Sequence, residues 1–333
     1  MSELVSVIMT VYNETESELR EAVESILNQT YDNIELIAIL DNPENEFLYN
    51  ILLEYFEKDS RIKIIKNEKN LGSRKSKNKG IDQANGKYIA ILDSDDIAIS
   101  YRIEKQVTYL KDNEYDMVYS DVLRIDTEGH LLDFRLSKIC VREDKIGKIL
   151  SHINIIGHSS VMLKKEVCLE LGKYRNFPAE DYDLWLRLVS SGKRIKHIEE
   201  PLIYYRVRPD SEMHGDLMAT YLGFLYAKRL YRERKGGKAD SFSGDNLKKF
   251  FEKRGYYNSD IKNKFNIAFN LIDETFLDFK NKRISKIPIH LFQAVKSYPK
   301  SFMIFTHRLY SLMLIKIYNQ KKEDYKIPIH LNR

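Results

Sequence analysis

Cysteine is nearly missing from this chain: Cys140 and Cys168 are the whole supply in 333 residues. Two cysteines cannot build a disulfide framework, and no metal-binding Cys spacing is present. Both are expected as small buried hydrophobes. Also absent is any uninterrupted apolar run near the ~20 residues that a helix needs to span a bilayer. No basic segment followed by a long apolar stretch precedes the first strand pattern, so no secretory signal is read and the chain is expected in the cytoplasm. Hydrophobic residues make up 43% and charged residues 31%, which excludes both a disordered and a membrane-embedded chain. The length allows one large domain or two of ordinary size.

Charge is unevenly spread. Residues 221–333 hold 24 Lys and Arg against 10 Asp and Glu, a net of +14, and the remainder holds 30 against 39, a net of −9. An acidic front and a basic back imply regions with different partners.

Strand and helix signals alternate along the first half. Val5–Met9 is a short, mostly apolar run suited to a buried parallel strand. Residues 16–28 place Leu19, Ala22, Val23, Ile26 and Leu27 at helical spacing, with Asn13 or Thr15 as the N-cap. A strand at 34–40, a helix near 46–58, a strand at 61–65, a helix near 73–84 and a strand at 88–92 follow. Such alternation implies right-handed crossovers and a mostly parallel sheet flanked by helices. Ligands bind beyond the carboxyl ends of such strands, and Asp41 and Asp93 both stand at strand ends. From about 215 the texture becomes helical and rich in Tyr, Phe and Lys, which divides the chain into residues 1–215 and 216–333. The hexapeptide Lys-Ile-Pro-Ile-His-Leu occurs at 286–291 and again at 326–331, too short a repeat to define an architecture.

Three segments carry chemistry. Asp93-Ser94-Asp95-Asp96 sets three carboxylates within four residues, and their mutual repulsion is offset either by a cation or by water. Hard ions such as Mg²⁺ or Mn²⁺ are often held by one or two carboxylates, with substrate phosphates completing the shell. Asn70 to Gly80 contains Gly72, Arg74, Lys75, Lys77 and Lys79. It reads as a basic helix start able to meet a diphosphate, or as a solvated helix face. Glu180-Asp181-Tyr182-Asp183-Leu184-Trp185 reads as a helix start whose acids either cap the helix or supply a general base.

Taken in order, these segments resemble the inverting glycosyltransferases of family 2, which have the GT-A fold. The resemblance covers about residues 4–206. It runs through Val5 to Asn13, Ser25 to Tyr31, Glu35 to Asp41, Asn70-Leu71-Gly72, Gly80 to Tyr88, Leu92 to Asp96 and Glu180 to Trp185. It implies that Thr10, Tyr12 and Asn13 surround the nucleotide base and ribose. By the same resemblance Asp41 accepts a hydrogen bond from a pyrimidine ring nitrogen, favouring a UDP-sugar. Lys77 approaches the donor phosphates, and Asp93, with Ser94 beside it, contacts ribose or sugar. Asp95 binds the metal with Asp96 as a second contributor, Asp181 is the catalytic base, and Glu180 orients acceptor or sugar. The cofactor implied is Mn²⁺ or Mg²⁺. The acceptor implied is a hydroxyl of a saccharide, free or lipid-linked, in surface-polysaccharide (capsule or exopolysaccharide) biosynthesis.

The chain departs from the family in places. Leu40-Asp41-Asn42-Pro43 stands where two acids followed by Gly-Ser are usual, Thr10 replaces a frequent proline, and Arg208 replaces a frequent histidine. Arg208 either meets the diphosphate or is solvated. Ile155 to Met162 matches a strand lining the acceptor side, where His158 bonds a sugar hydroxyl or serves structurally; His214 is an extra metal-ligand candidate.

Residues 284–320 mix apolar and aromatic groups with Lys286, Lys296, Lys300, Arg308 and Lys316. This region is read as a peripheral contact with the inner face of the cell membrane, as a helical subdomain, or as a homo-oligomer contact. Two rival functions are a sugar nucleotidyltransferase, whose Gly-rich, Arg-containing first loop is missing here, and a non-catalytic nucleotide-sugar-binding subunit. Nucleic-acid binding is not expected, since no recognised motif accompanies the basic excess.

Overall fold

The computed structural model describes residues 2–111, 114–132, 141–208 and 216–319. Cys140, His214 and the second hexapeptide lie outside the described residues. In the first part, β1 (Val5–Val11), α1 (Glu16–Leu27), β2 (Ile34–Leu40), α2 (Glu46–Lys58), β3 (Ile62–Lys66), α3 (Ser73–Gln83) and β4 (Tyr88–Ile91) alternate. There follow β5 (Ile97–Ala98), α4 (Arg102–Lys111), β6 (Met117–Ile125), α5 (Glu143–Leu150), β7 (Val161–Lys164), α6 (Lys165–Glu170), α7 (Glu180–Ser190) and β8 (Ile195–Arg206). Five further helices complete the described chain: α8 (Leu217–Glu233), α9 (Gly244–Glu252), α10 (Ser259–Lys280), α11 (Ile287–Ser297) and α12 (Ser301–Tyr318).

All eight strands share one sheet in the order β3-β2-β1-β4-β7-β6-β8-β5. The pairs β2–β3, β1–β2, β1–β4 and β6–β8 are parallel, and β7 enters antiparallel between β4 and β6. The expected mostly parallel α/β sheet flanked by helices is therefore present, and so is the helical C-terminal region.

Strand composition explains the layering. Successive side chains of a strand point to opposite faces, so a strand covered on both faces is apolar throughout. Ile8, Ile37, Ile39, Ile89 and Ile91 enter one core, whose cover includes Ile81 after α3 begins and Leu184, Trp185 and Leu188 of α7. Their neighbours Val7, Met9, Leu36, Ala38, Leu40 and Ala90 enter the other, with Leu19, Val23 and Ile26 of α1, Leu48 and Leu52 of α2, and Ile103 of α4. Thr15, one of the two residues expected as the cap of α1, fills that role in a capping box with Glu18.

Two expectations change. The segment Ile155–Met162 is not a strand throughout: His158–Ser160 form one 3-10 turn, and β7 begins only at Val161. The serines explain this, because Ser160 Oγ donates to Gly157 O at 2.8 Å and Ser159 Oγ to Asp93, offering local bonds in place of a ladder. The segment Tyr204 to Arg208, which by the family resemblance follows the last core strand, instead overlaps it: β8 runs to Arg206, and only Val207 and Arg208 lie beyond.

Residues beyond 216 share the first core rather than forming their own: Tyr182 and Trp185 of α7 belong with Met218, Tyr226, Phe250 and Phe265. Closest approach comes at Gly223 in α8, where a Cβ would stand 2.0 Å from Pro178 O, just before α7 starts. Only glycine lets the two backbones meet there.

Candidate active site

Sheet topology gathers the candidate residues at one edge. Thr10 to Asn13, Asp41 and Asp93 lie at the carboxyl ends of β1, β2 and β4. Because β7 pairs antiparallel with β4, the turn before β7 reaches the same edge. Ser159 Oγ therefore accepts from the Asp93 N–H at 3.1 Å.

Asp41 is buried, and its Oδ1 accepts from Asn67 Nδ2, the Leu71 N–H and Ser76 Oγ, each at 2.8 Å. These bonds hold the loop that feeds α3. Gly72, at φ 83°, turns that loop into the helix in a conformation other residues rarely adopt. Nearby, Asn42 Nδ2 donates to Asn13 Oδ1 at 2.8 Å, while Tyr12 is 44% exposed and open to stacking.

On α3, Lys77 is buried, with Nζ 3.1 Å from Asp93 Oδ1 and 3.3 Å from His158 Nδ1. An ammonium only donates, so Nδ1 must accept, and the proton sits on Nε2, 2.9 Å from the Tyr174 hydroxyl. Burial, then the Lys77 charge, push the His158 pKa down to about 4, so the ring is neutral near physiological pH. Both ring nitrogens are engaged by protein, and a sugar hydroxyl would have to displace one of these partners. Burial raises the Tyr174 pKa well above its usual value, and Asp181, Glu180 and Asp93 add to the effect. Through the Lys77–Asp93 and Lys77–His158 contacts, α3, the end of β4 and the turn before β7 meet at this point.

The acidic cluster resolves into unlike environments. Burial works to raise the Asp93 pKa, but the Lys77 charge, with the hydrogen bonds from Lys77 and Ser159, outweighs it and holds it at about 2. Ser94 is buried and ties the turn to β1 by donating to Thr10 O at 2.7 Å. Asp95 is pushed up to about 6 by burial and by the Asp93 charge, despite Arg208 Nε at 3.2 Å. Asp96 is fully buried, its Oδ1 accepts the Arg206 N–H at 2.8 Å, and its pKa is raised by burial and then by Asp95 and Asp93. Of the two carboxylates expected to meet a metal, Asp95 is the accessible one.

At the start of α7, Glu180 accepts from Arg74 Nε at 3.0 Å. Asp181 Oδ2 accepts from Asn154 Nδ2 at 3.0 Å. Burial, followed by the Glu180 charge, raises the Asp181 pKa to about 7. A carboxyl group tuned to that value suits proton removal near neutral pH. Asp183, from the same acidic run, turns inward: it is fully buried and 2.8 Å from Arg187 Nε.

Several neighbours were not singled out from the sequence. Glu14, whose pKa is raised by burial, adds its charge near Asp95. Arg206 holds the acidic turn through Nε to Asp95 O at 2.9 Å and reaches Glu21 at 2.6 Å. Asn154 orients Asp181. None has a local sequence signal, since each meets its partner only through the fold.

Residues 6–172 match Glycosyl transferase family 2. An uncharacterized glycosyltransferase of Methanocaldococcus jannaschii is 43% identical over 232 residues, covering 68% of this chain and 76% of its own. The O-antigen biosynthesis glycosyltransferase WbnJ of Escherichia coli is 32% identical over 237 residues, 70% of this chain and 91% of its own. A third relative, the E. coli UDP-Glc:alpha-D-GlcNAc-diphosphoundecaprenol beta-1,3-glucosyltransferase WfaP, is 33% identical over 214 residues, 63% of this chain and 79% of its own. In fold, the crystal structure of S. aureus TarS 1-349 in complex with UDP-GlcNAc aligns with a TM-score of 0.60 at 15% identity, covering 91% of this chain and 92% of that one. The chain belongs to glycosyltransferase family 2, and it is a glycosyltransferase.

Proposed function

We propose that the enzyme moves a hexosyl group from a UDP-sugar to a hydroxyl of a lipid-linked saccharide, with inversion, in the assembly of a surface polysaccharide. The observation that carries this reading is Asp181, a partly buried carboxyl group raised to about 7 at the start of α7 and oriented by Asn154. The names of WfaP, a UDP-Glc-dependent enzyme acting on a diphosphoundecaprenol-linked sugar, and of WbnJ, an O-antigen enzyme, support the donor and acceptor classes. The TarS complex with UDP-GlcNAc supports a uridine nucleotide on this fold.

In this reading Tyr12 stacks on the base, with Thr10, Asn13 and Asp41 around base and ribose. Lys77 and Arg208 bring positive charge to the diphosphate, and Asp93, held ionised by Lys77, with Ser94 beside it, accepts from ribose or sugar hydroxyls. Glu180 and, through its ring, His158 shape the acceptor side. Asp181 takes the proton of the acceptor hydroxyl as that oxygen attacks the anomeric carbon. The bond from that carbon to the diphosphate oxygen breaks, and UDP leaves on the opposite face. One displacement inverts the centre.

The donor set also fits a divalent cation. Asp95 is a hard oxygen ligand whose crowding by Asp93 a cation would relieve, and Asp96 Oδ2, buried without a hydrogen-bond partner, lies behind it. Among the described residues no three His, Cys, Asp or Glu side chains are grouped to hold a metal ion, so substrate phosphates would have to complete the shell. Mn²⁺ or Mg²⁺ held by Asp95, with Asp96 beneath, would stabilise charge on the leaving diphosphate.

Incubation with a panel of uridine, guanosine and thymidine diphosphate sugars and a diphosphate-lipid-linked saccharide tests the reading. A β-linked product from an α-linked UDP-sugar is expected. Transfer from a guanosine or thymidine donor alone would overturn the donor, and retention of configuration would overturn the mechanism.

A further inference from the structure

A lipid-linked acceptor requires the enzyme to work at a membrane surface, and the helices α10 to α12 present a face that the proposed reaction leaves unused. Helix α12 is apolar on both sides. Ile304, Phe305 and Leu314 are buried, while Phe302, Met303, Leu309, Met313 and Ile317 are exposed. A helix bounded by water carries polar residues on its outer side. Of the exposed residues of α12 only Thr306, Tyr310 and Lys316 carry a polar group. Helix α11 continues the pattern: Ile289 is 52% and Phe292 69% exposed, and Ile284 just before it is 74% exposed. The two helices pack on α10 and on each other.

Charge carried by α11, α12 and their flanks has one sign, although Asp278, Glu274 and Asp273 of α10 pair with Arg283, His290 and Arg308. From Phe279 to Tyr318 the chain holds eight Lys or Arg and no Asp or Glu. Lys296 and Lys300 also line a cavity of about 580 Å³ at the junction of α11 and α12, together with Lys253, Arg254 and Lys264 and the single acid Glu252. No described helix is long and apolar enough to cross a membrane. The combination of exposed apolar stripe, cationic surround and cationic cavity has a specific complement. A second copy of the chain would bring the same positive charge against this face, and a water-exposed role would leave the aromatic stripe unexplained.

We propose that α11 and α12 form a docking surface for an anionic phospholipid bilayer, with the apolar stripe in the interfacial region and the cavity receiving a lipid phosphate. The proposal rests on the function above only for the need to reach a membrane, and its test contains no catalytic step.

The full chain is floated with vesicles of phosphatidylcholine alone or of phosphatidylcholine mixed with phosphatidylglycerol. Flotation with the mixed vesicles and little with the neutral ones is expected. M303D/L309D/M313D, three changes at exposed positions, should remain unbound to both, with an unchanged circular-dichroism melt. K296E/K300E should lower partitioning to the mixed vesicles at least about tenfold. Failure of the wild-type chain to float with anionic vesicles overturns the proposal. So does equal flotation of the wild type and the triple variant. Light scattering that shows a dimer broken by the triple variant, without vesicle binding, reassigns the face to self-association and equally overturns it.

Discussion

The sheet edge and the C-terminal helical layer treat polar and apolar groups in opposite ways. At the sheet edge, carboxylates are drawn into partly dry surroundings: Asp93 is held at about 2, Asp95 raised to about 6 and Asp181 to about 7. In the helical layer, Phe292, Met303 and Ile317 stand in solvent among lysines. Folding alone rewards neither arrangement, because buried like charges repel and exposed apolar stripes gain nothing from water. Departures of this kind mark surfaces shaped for a partner, and the two differ in what that partner supplies. In the proposed function the first meets a divalent cation and sugar hydroxyls, and in the proposed docking the second meets an apolar phase and anions.

Several measurements would break or sharpen this contrast. The largest effect is expected from Asp181→Asn, which removes the base but keeps the shape: transfer should fall by about 10²–10⁴-fold, with UDP-sugar affinity nearly unchanged in calorimetry. Near-full transfer by this variant would dismiss the base assignment. Next, Asp95→Ala should weaken metal-dependent UDP-sugar binding about 10²-fold, equivalent to about 2.7 kcal/mol. Equal affinities for the variant and the wild type with Mn²⁺ present would remove Asp95 from the cation site.

Gly223→Ala tests whether the two regions are mechanically joined. Its Cβ would collide with Pro178 O, and a loss of about 1–3 kcal/mol in denaturant unfolding is expected, together with reduced transfer because α7 shifts. Lost stability with full activity would show that the joint does not position α7.

A subtler change is Asn154→Ala. Asn154 donates to the ionised Asp181, so its loss should raise the pKa further and move the acid limb of kcat, expected near pH 7, to higher pH. An unmoved limb would mean that another group sets it.

The smallest effect concerns stability. Asp95 has a folded value of about 6, above the ordinary carboxylate value of ~3.9. The folded state therefore holds this proton more tightly than the unfolded one, and the stability so gained is lost as pH rises from about 4 through about 6. Asp95→Asn should raise Tm at neutral pH by about 1–3 °C without metal, and should abolish any further rise caused by Mn²⁺ with UDP.

Much of the fold was legible because its signals are local. The strand runs at Val5–Val11 and Ile34–Leu40 are apolar without a break, and helix periodicity in 16–28 and 46–58 matches α1 and α2 closely. The family resemblance makes 155–162 a strand, but the serine bonds that shape its turn reach across to Asp93, a partner that adjacency in sequence does not reveal. His158 shows the same limit: its residue type allowed a sugar contact or a structural role, and only the fold brought Lys77 and Tyr174 to its two nitrogens.

By itself, then, the order of residues determined the alternating elements, the placement of Asp41 and Asp93 at strand ends, the family, and the basic excess beyond 220. Each depends on neighbours a few positions apart or on a fixed sequence of motifs. Tertiary structure alone decided how three adjacent aspartates acquire different protonation. Asp93 meets a lysine from α3, Asp95 an arginine beyond β8, and Asp96 the backbone of β8, partners between 16 and 113 positions away in the chain. Electrostatic tuning follows distance and burial in space, and neither can be read from adjacency in sequence.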